Sequence, residues 1–307
     1  MVVIPWRANL LLAALFILLH VLLLGWPLAV GHPPTGWVGG ALFALYVAAT
    51  FPLWALIHEA VHGRLLAAPG HNRRLGRALA VVFGGPFRVL RYGHLFHHRH
   101  NRGPADRTEI YDAARGGWLR AALAFYPRLL FGLYLGELVV SLAVFLPRRI
   151  LAALVGGVSR SLPAAERRLA GVELLSSAAR RELRIDGALV MVFYVALFWL
   201  WREALWLPVA AVAGRAVLVS LLDNSFHYGT PLEDRLYALN LRLPRGFSPL
   251  ILNFNLHRTH HRNVGLPWNA LPAATVFEAE DPPFTRALLR QLRGPLMARQ
   301  LPHRQSA

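Results

Sequence analysis

The chain has 307 residues, of which 55% are hydrophobic and only 16% are charged, against about a quarter charged in ordinary globular chains. Its mean hydropathy is +0.40, so we expect much of its surface to face lipid. The net charge of +17 comes from arginines that flank apolar runs and form no separate basic domain, which argues against a nucleic-acid partner. The absence of cysteine excludes disulfides, thiolate metal sites and iron–sulfur clusters, so any metal must be held by nitrogen or oxygen.

Two pairs of apolar runs predict membrane hairpins. The first run, about 8–30, is long enough to cross a hydrocarbon core of about 30 Å. It is longer than the apolar part of a signal peptide, and no small-residue cleavage site follows it. A second run, 36–57, follows the short uncharged link GHPPTG. The second hairpin is predicted over 187–222, with an interfacial turn near three tryptophans, Trp199, Trp201 and Trp206.

The segment 121–146 is also long enough to span, but it carries Pro127, Arg128 and Glu137. If it crossed, the arginine-rich stretch 147–184 would lie outside the cell, against the positive-inside rule. We therefore predict a broken or interfacial element here. The resulting fold class is an all-α membrane protein with two transmembrane helical hairpins, about four crossings, and a cytoplasmic histidine-rich cap.

Two further segments complete the predicted organisation. The apolar patch 79–90 is too short to span and is interrupted by glycines and a proline, so we place it at the membrane interface. The tail, about 282–307, is basic and mildly amphipathic, which predicts a surface helix or a frayed end. Because no repeat or linker is visible, we predict a single integral-membrane domain over 1–307, with a histidine-rich core at about 50–275.

Nine of the fourteen histidines fall into a pattern of short motifs. These are HEAVH, HLFHH, DNSFHYG and HRTHH, which contain His58 and His62; His94, His97 and His98; His227; and His257, His260 and His261. Because residues i, i+3 and i+4 share a helix face, each group is expected to aim its imidazoles at one point. So many neighbouring imidazoles would repel one another if protonated, whereas neutral imidazoles bind iron, zinc, copper or nickel. The isolated histidines are expected to be capped or solvated: His20, His32, His71 and His303.

Taken alone, HEAVH is the zincin signature, in which two histidines bind zinc and the glutamate is the general base. That hypothesis is an intramembrane zinc protease with Glu59 as base and Asp223 as third ligand. It leaves both HxxHH triplets and His227 unexplained, because one zinc needs three protein ligands. A non-catalytic metal-binding membrane protein is a further alternative.

The order of HEAVH, HLFHH and HRTHH, with apolar runs before the first and between the second and third, resembles the membrane fatty-acid desaturase superfamily. That superfamily also contains alkane and sterol-type hydroxylases and carotenoid ketolases. The segment NLHRTHHRNVGLPWNALP resembles the final desaturase block, and DNSFHYG resembles the extra histidine element of alkane monooxygenases. The resemblance covers about 50–275 and implies metal-ligand roles for all nine histidines. His100 is an alternative ligand in the second group, and Asn224 is a weaker alternative to His227.

The resemblance implies two iron ions, dioxygen as co-substrate and external electrons. Breaking an unactivated C–H bond needs an oxidant that no side chain provides, so the metal carries the difficult step. Carboxylates near the motifs are candidates for orienting the ligands. Two of them, Glu59 and Asp223, lie inside ligand segments and are the predicted catalytic residues; the others are Asp106, Glu109, Asp112 and Asp234.

The leading hypothesis is desaturation of a fatty-acyl chain that enters from the bilayer, and the alternative is hydroxylation or ketolation of an alkane, carotenoid or other lipid. The ligand spacing does not separate them. Since the chain has no cysteine and no haem-binding fusion, a separate ferredoxin-, rubredoxin- or haem-type carrier with its reductase is required. The arginine-rich cap is the expected landing surface for an acidic carrier. We expect the protein in the cell inner membrane, with the histidine motifs on the cytoplasmic side.

Overall fold

The computed structural model describes residues 3–34, 36–160 and 162–302, and about 69% of the chain is helical. The α-helices in chain order are α1 (Trp6–Val30), α2 (Gly36–Ala48), α3 (Thr50–Val61), α4 (Pro69–Phe83), α5 (Phe87–His100), α6 (Trp118–Pro127), α7 (Leu133–Ala143), α8 (Arg148–Val158), α9 (Ala164–Leu175), α10 (Ser177–Leu200), α11 (Trp206–Ser225), α12 (His257–Arg262), α13 (Leu271–Ala274) and α14 (Phe284–Arg290). The two short strands are β1 (Ile110–Tyr111) and β2 (Leu296–Met297). Short 3₁₀ segments occupy Ala113–Arg115, Arg202–Ala204, Ser248–Ile251, Gln291–Arg293 and Ala298–Gln300.

Five helical segments of the described chain are long and apolar enough to cross a membrane, so the prediction of an all-α membrane protein is confirmed. They are Trp6–Val30, Gly36–Val61, Trp118–Ala143, Ser177–Leu200 and Trp206–Ser225. Four of them match the two predicted hairpins. The fifth contains the segment predicted to be broken or interfacial; a π-helical turn at Arg128–Gly132 follows Pro127 there, and helix continues on both sides. Crossing by four segments or by five stays a prediction.

The ends of the first helix follow from its sequence. Pro5 precedes the helix, where a missing backbone N–H costs nothing, and Gly31 ends it with a positive φ of 83°. Between them, Leu11, Leu15 and Leu18 are more than half exposed. A helix whose outward face is this apolar is suited to lipid.

The described residues fall into two compact units. The HEAVH unit consists of the described residues of Pro5–His94 and Tyr134–Arg215, and the HRTHH unit consists of the described residues of Met1–Ile4, Leu95–Leu133 and Ala216–Ala307. Each unit is built from segments that are far apart in the sequence. The single domain expected from the sequence stays a prediction.

The core of the HEAVH unit is aromatic and lies between the two hairpins. Trp201 is fully buried against Phe43, and its indole N–H donates to the Leu23 carbonyl at 2.7 Å. The expectation that Trp201 belongs to an interfacial belt is therefore wrong, because its ring packs inward. Its neighbours Trp199 and Trp206 are 62% and 69% exposed, as an interfacial position requires.

A buried guanidinium joins several helices of the same unit. Arg215 is fully buried and donates to the Tyr46 hydroxyl, to the Tyr194 hydroxyl at 3.4 Å and to the Phe83 carbonyl at 3.0 Å. The Tyr134 hydroxyl donates to the same carbonyl at 2.7 Å. A cation inside a membrane-spanning helix is costly unless it is hydrogen-bonded, and these phenols and the carbonyl supply the partners.

The apolar patch 79–90 is buried in the HEAVH unit, and its position at the membrane interface stays a prediction. Phe83 is fully buried and Leu90 is 4% exposed. Gly84 ends α4 with φ of 118°, and a Cβ at this position would lie 2.9 Å from the Leu138 side chain. The patch turns at this glycine because no other residue fits both the dihedral and the space.

The C-terminal segment begins with the short helix α14, in which only Ala287 is buried, so the predicted surface helix is confirmed there. The residues that follow it, up to 302, are packed into the HRTHH unit. Strand β2 pairs in parallel with β1, with Ile110 opposite Leu296. Gln291 is fully buried and donates to the Leu221 carbonyl at 2.8 Å. His303 lies outside the described residues.

Candidate metal centre

Three histidines of the HEAVH unit meet at the end of α3 and on α5. His58, His62 and His94 each offer a ring nitrogen, and these nitrogens lie within 4.8 Å of one another. The Nε2 atoms of His62 and His94 are 3.0 Å apart. His58 and His94 are 4% and 8% exposed, whereas His62 is partly exposed.

The chain after HEAVH is held by asparagine side chains. Asn72 is 6% exposed; its amide nitrogen donates to the Ala60 carbonyl at 2.9 Å, and its oxygen accepts from the backbone N–H groups of Leu65 and Leu66, both at 3.1 Å. The side chain of Asn9 donates to the Leu65 carbonyl at 2.9 Å. These bonds fix the turn in which His62 closes α3.

Burial, with the nearby charges of Arg64 and Arg91, lowers the pKa of His62 to about 4. The imidazole is therefore neutral at physiological pH. A neutral ring is the form that binds a metal.

Four histidines of the HRTHH unit form a tetrad. The ligand nitrogens of His97, His227, His257 and His261 lie within 4.8 Å of one another. The Nε2 atom of His261 is 3.1 Å from that of His257 and 3.3 Å from that of His97. The His227 ring centroid lies 4.6 Å from that of His97. Four imidazoles from three separate segments therefore converge on one point.

The structure divides the HxxHH triplets, so the expectation that each triplet aims at one point is wrong. His98 and His260 lie outside the tetrad and face each other, with their Nε2 atoms 3.0 Å apart. His97 and His261, the sequence neighbours of these two residues, belong to the tetrad. His100, the alternative ligand, packs against Phe96 with ring centroids 4.4 Å apart and belongs to neither histidine group.

Asp106 orients one member of the tetrad. Its carboxylate lies 2.6 Å from Nδ1 of His97. Burial opposes protonation of His97, but the charge and hydrogen bond of Asp106 outweigh it and raise the pKa of the ring above its usual value. The contact keeps a proton on Nδ1 and directs Nε2 towards the other imidazoles.

A buried ion pair positions His227. Arg102 and Glu109 are 1% and 2% exposed, and their charged groups are 2.8 Å apart. Arg102 also donates to the Thr230 carbonyl at 2.9 Å, and the Thr230 hydroxyl donates to the His227 carbonyl at 2.7 Å. These bonds hold the turn after α11 that carries His227.

Two non-histidine residues of HRTHH hold the short helix α12. Arg258 is 1% exposed and makes a bidentate contact with Asp281, at 2.9 and 2.5 Å. The backbone N–H of Thr259 donates to the Asn240 side chain at 3.2 Å. A bidentate guanidinium–carboxylate pair fixes orientation as well as distance, so α12 is held in one rotation.

The other predicted site residues have varied surroundings. Glu59 is 4% exposed on α3, between the two histidines of HEAVH. Asp112 caps the short 3₁₀ helix by accepting from the Ala114 N–H at 2.9 Å, and Asp234 accepts from the Leu236 N–H at 3.1 Å. Asn224 donates to Gln291 at 2.7 Å.

A pocket of about 360 Å³ adjoins the tetrad inside the HRTHH unit. His97 and His227 line it together with Asp106 and Asp223. The residues of the π-helical turn and the preceding helix form its apolar wall, including Phe125, Leu129 and Gly132. The predicted catalytic Asp223 therefore shares a cavity with two tetrad histidines.

The tetrad fits a metal cation on the basis of the His227 ring nitrogens. His227 is 8% exposed, and among the described residues neither of its ring nitrogens has a hydrogen-bond partner. Burial is the main cause that lowers the pKa of His227 well below its usual value, and the nearby His97 and His261 add to this effect. A buried neutral imidazole without a partner is costly, and a cation on one nitrogen would remove that cost.

The isolated histidines are separate from both groups. His71 is exposed, and Nδ1 of His32 is 3.0 Å from the Pro33 carbonyl. His20 is 3% exposed, and its Nδ1 is 2.6 Å from the Phe16 carbonyl. His20 is therefore buried and capped by the backbone of its own helix.

Sequence reasoning missed the residues that hold the ligands. Asn72, Arg102, Asn240 and Arg258 were not singled out. The partners of Arg258 and Asn240 lie 23 and 19 residues away, at separations that follow no helix or strand period. A search for polar residues next to the histidine motifs would have found Arg258 and Arg102.

The sequence was compared with curated proteins and with protein-family models. No curated protein matches the chain. A family model described as "Fatty acid desaturase" matches residues 35–293, which include every histidine of the triad and the tetrad. With most of its length matched, the chain belongs to the fatty acid desaturase family.

Proposed function

We propose that the protein is an iron-dependent lipid desaturase that inserts a double bond into a fatty-acyl chain, using dioxygen and external electrons. The family implies di-iron lipid oxidation of the desaturase or hydroxylase type. The observation that carries the proposal is the convergence of the four imidazoles of the tetrad in a cysteine-free chain. Nitrogen ligands of this kind suit iron.

We assign the metal-ligand roles to the nine histidines of the four motifs. The tetrad would hold one iron, and the triad His58, His62 and His94 would bind the other; His98 and His260 complete the proposed ligand set. The bound irons would supply the oxidising power that activates dioxygen for C–H cleavage. A zinc protease would have no use for the tetrad.

The protein's own groups would prepare this chemistry. Asp106 keeps the proton of His97 on Nδ1, so that Nε2 offers its lone pair. Asp223, which lines the pocket with His97 and His227, would exchange protons with water there. Glu59, buried between His58 and His62, would offset positive charge at the triad. The apolar wall of the pocket would exclude bulk water.

Hydroxylation or ketolation of a lipid is the second candidate. The observation in its favour is His227, from the DNSFHYG segment that resembles alkane monooxygenases, as a full member of the tetrad. Both reactions begin with removal of a hydrogen atom from carbon. They differ in whether a second hydrogen leaves or oxygen is added.

The proposal extends to location and partners. The substrate would come from the bilayer, and the electrons from a ferredoxin-, rubredoxin- or haem-type carrier with its reductase. The helices able to cross a membrane and the arginine distribution support an inner-membrane protein whose histidine motifs are on the cytoplasmic side.

Lipid mass spectrometry of cells with and without the protein tests the reaction. A product lighter by about two mass units is expected for desaturation, and a gain of about sixteen would establish hydroxylation instead. His97→Ala and His260→Ala should abolish the product while the protein still inserts into membranes. His71→Ala, at an exposed isolated histidine, is the matched control and should keep activity. Purified protein with zinc and no iron would contradict the oxidase function.

A further inference from the structure

A second pocket, of about 460 Å³, lies inside the HEAVH unit and reaches the triad at His62. Its walls come from the chain after HEAVH, the first turns of α4 and α5, and two carboxylates, Glu173 and Glu182. His58 and His94 do not line it. Within this unit, His62 is thus the triad member that an outside molecule can approach through the pocket.

The rim of this pocket is positively charged. Arg73, Arg88 and Arg91 line it against the two carboxylates. Arg88 lies 2.7 Å from Glu173 and 3.2 Å from Glu182, and Arg73 also pairs with Glu182. Both carboxylates are therefore neutralised by arginines. Arg91 is exposed and makes no ion pair among the described residues, so its charge is available to a partner.

The pocket beside the tetrad has the opposite character. Three carboxylates, Asp106, Glu109 and Asp223, line it; Glu109 is paired with the buried Arg102, and Asp106 is hydrogen-bonded to His97. Arg128 is the remaining cation of its lining. An acidic protein is attracted to a positive rim and repelled by carboxylates, so the two pockets discriminate between partners by charge.

We propose that the pocket at His62 is the docking site of an acidic one-electron carrier and that electrons reach the iron centre through His62. This proposal rests on the proposed oxidase function. In each encounter one electron leaves the reduced carrier and converts one ferric ion to ferrous; no bond is made or broken. Electron transfer slows steeply with distance, so the histidine that lines a pocket is favoured over the buried His58 and His94. This site replaces the arginine-rich stretch 147–184 as the landing surface.

The test is anaerobic stopped-flow reduction of the oxidised iron-loaded, full-length protein by a reduced acidic [2Fe–2S] ferredoxin. Arg91→Glu should lower the second-order rate constant by about tenfold at low ionic strength, because it reverses a charge at the rim. The difference should shrink as salt is added. Arg91→Lys should restore the rate. Dithionite, a small reductant, should reduce the wild-type and Arg91→Glu proteins equally, which shows that the iron centre is intact.

Arg202→Glu is the matched control, since Arg202 is 59% exposed in the same unit but lies at the turn between α10 and α11. It should react with ferredoxin at the wild-type rate. A wild-type rate for Arg91→Glu would overturn the docking site, as would a larger loss in Arg149→Glu, which lies in the stretch 147–184. If dithionite produced no ferrous signal in the wild-type protein, the proposed function itself would fail, and the docking site with it.

Discussion

The contact between Asp106 and His97 gives the most specific prediction about the metal centre. Asp106→Asn keeps the shape of the side chain and an oxygen acceptor but removes the negative charge. The 2.6 Å separation is slightly shorter than the usual distance of about 2.7–2.9 Å for a charge-assisted N–H···O hydrogen bond. Groups that orient a metal-binding histidine are worth about ten- to a hundredfold in metal affinity, or ~1.4–2.7 kcal/mol.

The surroundings place the expected loss near the lower end of this range. The two side chains are 21% and 25% exposed, so solvent screens part of the interaction. We therefore expect Asp106→Asn to lower iron affinity by about tenfold. The measurement is the iron content of purified protein after dialysis against a graded series of chelator concentrations.

Glu280→Gln is the matched control, because it removes one negative charge from an exposed position of the same unit. The Glu280→Gln protein should lose its iron at the same chelator concentration as the wild-type protein. The reasoning is refuted if Asp106→Asn and the wild-type protein lose iron together, or if Glu280→Gln loses it as readily as Asp106→Asn.

Three further predictions concern the residues that hold the fold, and thermal unfolding in detergent measures each of them. Arg258→Met leaves the buried carboxylate of Asp281 unpaired and should cost about 3–5 kcal/mol; an unchanged midpoint would contradict the importance of that pair. Asn72→Ala removes three hydrogen bonds to the backbone after HEAVH and should cost about 1–3 kcal/mol with loss of iron, whereas full iron retention would argue against its role at His62. Gly84→Ala places a Cβ 2.9 Å from Leu138 at a positive φ and should cost about 1–3 kcal/mol; wild-type stability would show that the turn relaxes freely.

The membrane-spanning helices could be predicted because their signal is local. Apolar runs of membrane length, such as Trp6–Val30, specify a helix whatever packs against them. The segment Trp118–Ala143 was harder, because Pro127 and Arg128 argue against a regular helix. A π-helical turn at Arg128–Gly132 accommodates these residues within a continuous helical segment, and sequence periodicity does not predict such a turn.

The ligand residues could be predicted from their chemistry, but their grouping could not. Adjacent residues on an α-helix point about 100° apart, so His97 and His98 cannot face the same point. The same holds for His260 and His261. Sequence reasoning treated the i+3 and i+4 positions as one face, which is accurate for broad apolar stripes and too coarse for metal ligands.

Burial of the C-terminal segment depended on partners distant in the sequence. Its composition is basic and only mildly apolar, which describes an exposed tail equally well. Gln291 is buried because its amide reaches the Leu221 carbonyl, 70 residues earlier. Pairings at that distance carry no local signature, so the surface helix α14 could be predicted from the sequence but the packing of the residues after it could not.

In the helix His257–Arg262, the two residues between the histidines of HxxHH have a structural role of their own. Its two unspecified positions are Arg258 and Thr259, and both are tied down, to Asp281 and to Asn240. A six-residue helix is too short to be stable on its own, so these contacts determine the orientation of the histidine rings. Relatives with other side chains at the two positions would need a different anchor, and the co-occurrence of Arg258 with Asp281 offers a way to sort them.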